Sequence, residues 1–150
     1  MKPTPSPSPK GEAKRPHLVV NPPSLAKPVG YAHAVLAAPG RTLFLGGQVG
    51  WDVEGRFLTP FDLVEQVDQA LANLVVALKA AGGAPEHVTA LRIFVLSADA
   101  WRANARAIGT VWKKHMGRWF PAMALLEVKR LYEPESLVEI EGTAVIPDAT

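Results

Sequence analysis

Apolar side chains recur at Val64, Val67, Leu71, Leu74, Val75 and Leu78. That i, i+3/i+4 spacing draws one stripe down a helix and predicts a helix over residues 61–81. Asp62 followed by Glu65 resembles a capping box, and Gly82-Gly83 supplies the stop. A second stripe, Trp101, Ala105, Ile108 and Trp112, predicts a helix from about Asp99 to Met116, capped by Ser97 or Asp99 and stopped at Gly117. The two tryptophans stand eleven positions apart, close to three turns, so their rings share a face and read as core.

Elsewhere the period drops to two. His87–Leu96 alternates as a strand, and the stretches 122–131 and 136–146 read as two closing strands joined by Tyr132-Glu133-Pro134-Glu135. Upstream, a short strand is expected at 17–20 and a proline-broken linker at 21–28. A strand pair then covers 31–38 and 41–49, joined at Pro39-Gly40. Gly46-Gly47 suggests a close backbone approach or a bulge. The order ββ(β)αβαββ implies an α/β sandwich, a mixed sheet with helices covering one face. On the last strand Val138, Ile140, Gly142, Ala144 and Ile146 form one face. Leu137, Glu139, Glu141, Thr143 and Val145 form the other. That mixed face suits a subunit interface with a pocket in it, so a homo-oligomer is expected.

A chain of 150 residues is expected to hold one domain, here 17–150, behind a disordered or polyproline-like tail, 1–16. Charge separates the same two parts. The tail carries four basic side chains against one acid, whereas the rest carries 12 basic and 13 acidic. The sequence pI near 9.0 therefore belongs to the tail. A nearly neutral domain lacks the basic face that phosphate binding needs, so no nucleic-acid partner is expected. The absence of cysteine excludes disulfides, thiolate metal sites and cysteine nucleophiles. His17, His33, His87 and His115 lack chelating spacing, and no phosphate- or dinucleotide-binding glycine loop occurs, so neither metal nor cofactor is expected. No apolar run is long enough to span a bilayer and none resembles a secretory signal, which leaves no membrane partner and cytoplasm as the default location.

Four segments in order resemble the RidA/YjgF (endoribonuclease L-PSP) family: Gly30-Tyr31-Ala32-His33-Ala34-Val35; Gly46-Gly47-Gln48-Val49; Gln69–Leu74 with Lys79–Gly83; and Pro121–Ala144. The resemblance covers about residues 29–146. It implies a chorismate-mutase-like α/β fold, two helices on one face of the sheet, and a homotrimer with small-molecule clefts between subunits. It also implies hydrolysis of imines: an arginine two residues after the proline binds the substrate carboxylate, a serine and a glycine contact the ligand, a tyrosine shapes the cleft, and a glutamate positions water.

Carried onto this chain, the catalytic positions are Tyr31 and Glu139, and the substrate-binding positions are Gly46, Gly47, Gln48, Met123 and Leu125. Two depart from the pattern. Met123 stands where the arginine is expected and Gly46 where the serine is. A guanidinium grips a carboxylate through two charge-assisted hydrogen bonds, which a thioether cannot do, and losing that grip removes on the order of 2–4 kcal/mol of anchoring. The expectation is a hydrolase or deaminase acting on an imine, enamine or related small metabolite other than the usual 2-imino acids. The alternative is a non-catalytic binding or regulatory trimer. Glu139 is expected beside Met123 and Leu125, where apolar neighbours would make a carboxyl hold its proton more tightly.

Overall fold

The computed structural model describes residues 15–148. The tail reading for residues 1–14 lies outside them. Strands β1 (Leu18–Val20) and β2 (Ala34–Leu36) form a small antiparallel pair. The main sheet has the order β3-β6-β4-β5, from β3 (Gly40–Val49), β4 (Val88–Val95), β5 (Ala122–Glu127) and β6 (Val138–Pro147). Only β4 and β5 run parallel, so the sheet is mixed as expected.

Helix α1 (Leu63–Ala80) follows its stripe: Val67, Leu71, Leu74 and Leu78 are essentially fully buried. The Asp62 carboxylate caps it by accepting from the Glu65 N–H at 3.1 Å. The expected second helix is divided into α2 (Ala98–Ala103), capped by Ser97, and α3 (Ala105–Met116). Asn104 causes the break: its side-chain amide donates back to the Ala100 carbonyl at 2.8 Å, competing with the helical ladder. The chain leaves α3 through Gly117 at φ 64°, a conformation glycine adopts without a Cβ penalty. His115 and Lys114 on α3 both hold Asp68 of α1, at 2.5 Å and 3.1 Å, tying the helices together.

Two further expectations fail. Segment 31–38 does not pair with β3 across Pro39-Gly40; β2 pairs with β1 instead. Pro39 has no N–H to donate. The neighbouring Ala38 N–H donates to Nδ1 of His17, whose Nε2–H lies 2.8 Å from the Val145 carbonyl and 3.2 Å from that of His87. This buried imidazole fastens the small ribbon to the sheet. The strand expected to continue to residue 131 also ends early, at Glu127.

Candidate functional site

Tyr31 is placed by its neighbours. Gly30 turns the chain at φ 76°, and the Ala32 N–H then donates to the Pro121 carbonyl at 3.0 Å. Ala32 bridges Ala122 in parallel, so Tyr31 lies against the start of β5, close to Met123. Its ring meets His33 edge-on at 5.4 Å between centroids. His33 is held by the loop before it: its N–H donates to Asn21 Oδ1 at 2.8 Å and its Nε2–H to the Ala26 carbonyl at 2.6 Å.

Tyr31 borders two cavities. One, about 430 Å³, runs between β5 and the α2/α3 layer and is lined by Tyr31, Met123, Leu125, Trp101, Trp112 and Phe120 among others. None of its lining residues is charged. The other, about 350 Å³, opens on the uncovered face and includes His33, Arg92 and Thr143. Arg92 is paired there with Glu141 at 3.0 Å. Its register partner on β5 is Ala124, one residue beyond Met123, so it emerges on the opposite face from Met123 and cannot take the place of the arginine that the resemblance leads one to expect there.

The remaining predicted residues occupy the other edge. Gly46, Gly47 and Gln48 lie at an irregularity of the β3–β6 pairing, between Leu45 and Gln48. A Cβ on Gly47 would fall 2.9 Å from Cδ of Glu139, so the glycine makes room for the carboxylate chain above it. A Cβ on Gly46 would meet nothing within 4 Å, so packing does not impose the departure from serine there.

Glu139 is therefore not beside Met123 and Leu125 within one chain. Its register partners are Val49 on β3 and Phe94 on β4. Met123 pairs with Leu91, three residues earlier along β4, and faces the core. Two strand spacings and three residues of rise separate Met123 and Glu139 by roughly 14 Å, on opposite faces. Linear spacing cannot show this, because β4 comes between them only in the folded sheet.

A residue absent from the sequence reading supports this edge. Gln66 is fully buried, although it stands next to the apolar stripe of α1. Its amide donates to the carbonyls of Thr59 at 3.2 Å and Glu135 at 2.9 Å, and its Oε1 accepts from the Leu137 N–H at 2.8 Å. Gly50 packs directly on it; a Cβ there would stand 2.8 Å from the Cα of Gln66. One side chain thus joins the loop after β3, the turn before β6 and α1. An isolated polar residue in an amphipathic helix carries no sequence signal for such a role. Trp119, flanking the site in sequence, is core: it is buried and its Nε1–H donates to the Val88 carbonyl at 2.8 Å.

Fold and site together define an α/β domain whose candidate ligand groups are divided between the two edges of one sheet. The chain belongs to the family described as endoribonuclease L-PSP, whose model matches residues 23–146, also known as RidA/YjgF. A 2-iminobutanoate/2-iminopropanoate deaminase from Capra hircus is 36% identical over 115 residues, spanning 77% of this chain and 79% of the relative. The RutC family protein UK114 of Drosophila melanogaster is 34% identical over 121 residues, covering 80% and 83%. Among solved structures, a Rid-family protein of unknown function from Yersinia pestis superposes with a TM-score of 0.78 at 37% identity, covering 87% of this chain and 99% of that one.

Proposed function

We propose that this protein is a homotrimeric hydrolase of imines or enamines that do not carry the carboxylate of the usual 2-imino acids. The observation that carries this reading is the division of the site: an uncharged groove with Tyr31 at the β5 edge, and a carboxylate, Glu139, over Gly47 at the β3 edge. The edges belong to one sheet, so a second copy must bring its β3 edge to the first copy's groove. Phe44 of β3 is 80% exposed and Leu126 of β5 41%, apolar surface of the kind an assembly covers. The relatives named as imine deaminases support the reaction class.

In the assembled cleft, Glu139 from one copy takes a proton from water as the oxygen attacks the C=N carbon. Glu139 returns that proton to the nitrogen to give the carbinolamine, then moves the hydroxyl proton to the amine as the C–N bond breaks and ammonia leaves: R₂C=NH + H₂O gives R₂C=O + NH₃. Tyr31 and Gln48 orient the water and the substrate. Met123 and Leu125 give the substrate apolar contact where an arginine would have demanded an anion.

Ammonia release from imines and enamines generated in situ tests the reading, with Glu139→Ala as the control. No acceleration over that control with either set of compounds would refute catalysis. Sedimentation showing a stable monomer would refute the shared cleft. The alternative, a non-catalytic binding trimer, is favoured by one feature, the loss of the anchor at Met123. Small-molecule stabilisation of the trimer without turnover would support it instead.

A further inference from the structure

The groove beside Met123 continues as an open cleft between β5 and α3, where the exposed Ala105 and Gly109 lie one turn apart. Gly109 sits inside a twelve-residue helix, where glycine is destabilising relative to alanine. Its φ is not positive, and a Cβ built on it would meet nothing within 4 Å. Neither backbone conformation nor packing therefore demands glycine. What the missing side chain does is leave the groove open.

The surrounding walls are aromatic. Trp112 and Phe120 stack with centroids 5.8 Å apart and planes 8° from parallel, and Trp101 lines the same space. The Trp112 Nε1–H is already committed to the Trp119 carbonyl at 3.0 Å, so this ring offers a π-face and no donor. A preformed apolar cavity of roughly 150 Å³ holds a benzene ring. The groove, at about 430 Å³, has space for a ring together with a reacting head group at Tyr31.

We infer that this open groove is a subsite for an uncharged aromatic ring, and that the substrate class is aryl ketimines and their enamine tautomers. The inference rests on the reading above only in placing the C=N carbon near Tyr31 and Met123. Flat aromatic surfaces favour offset stacking or edge contacts with a planar ligand, and an uncharged lining excludes an ionised one by its desolvation cost.

The stable ketone product is a suitable ligand. The full chain, labelled with ¹⁵N, is titrated with acetophenone, phenylpyruvate and 2-oxobutanoate while the tryptophan indole N–H resonances are followed. Acetophenone should shift the Trp101 and Trp112 signals, and 2-oxobutanoate should shift neither. Phenylpyruvate should bind more weakly than acetophenone. Gly109→Leu, which enters open space, should weaken acetophenone at least tenfold with an unchanged far-ultraviolet spectrum; the more flexible Gly109→Met serves if leucine disturbs the helix. Tighter binding of 2-oxobutanoate than of acetophenone, no binding of any of the three, or unchanged affinity in the filled variants would overturn the subsite. Acetophenone binding without turnover of its imine would refute the proposed reaction and leave the subsite standing.

Discussion

Replacing Gln66 with methionine tests whether one buried amide organises the β3 edge of the site. Methionine has a similar length and no hydrogen-bonding capacity of comparable strength, so packing is nearly conserved while three hydrogen bonds are lost. The three backbone partners are not equally affected. Glu135 is exposed, so its carbonyl turns to water at little cost, and that of Thr59 is half-buried. The Leu137 N–H, one residue before β6, is half-buried, and as a single donor with no second site to turn to it bears most of the penalty. An unsatisfied buried group costs about 1–3 kcal/mol, which with the partly compensated carbonyls gives about 3 kcal/mol in all. For a chain of this size, that lowers the thermal midpoint by roughly 6–12 °C at fixed protein concentration. Urea denaturation monitored by tryptophan fluorescence measures it directly. Because Leu137 leads into the strand carrying Glu139, turnover of the preferred substrate should fall even well below the melting temperature. A loss of stability under about 1 kcal/mol would refute the reasoning, since water would then be replacing the amide without cost.

Three further outcomes follow from the geometry. Gly47→Ala should displace the Glu139 side chain, because its Cβ would sit 2.9 Å from Cδ; turnover should drop at least tenfold while stability changes by less than about 1.5 kcal/mol in urea titration. Met123→Arg should raise kcat/KM for 2-iminobutanoate by about 30- to 1000-fold, the equivalent of about 2–4 kcal/mol of restored anchoring; no gain in an ammonia-release assay would place the substrate elsewhere. Burial raises the Asp68 carboxyl, but hydrogen bonds from His115 and Lys114 outweigh it and hold its pKa below the ordinary 3.8. A depressed folded-state pKa stabilises the fold above the unfolded value and loses that contribution as pH falls from 3.8 toward the lower folded value. Asp68→Asn should flatten the stability–pH curve in that acid window, as read from urea midpoints.

Much of the architecture was legible because periodicity reports burial directly. The α1 stripe, its Asp62 cap and the alternating faces of β4 and β6 all follow from side-chain spacing, which is fixed by helix and strand geometry. The errors share a cause. Pro39-Gly40 looks like a hairpin turn, but strand partners are decided by distant hydrogen bonds, here those of His17 to Ala38 and Val145. The continuous α2–α3 helix fails because Asn104 spends its side chain on the preceding turn.

By itself the sequence determined the element types, the covered and uncovered faces and the family. These are properties of residue identity and local spacing. The tertiary structure alone decided which of those residues meet. Threading β6 and β4 between β3 and β5 puts Glu139 with Gly47 on one edge and Tyr31 with Met123 on the other. Folding also buries the Gln66 amide between two loops and opens the space beside Gly109, because both depend on side chains far away in the chain.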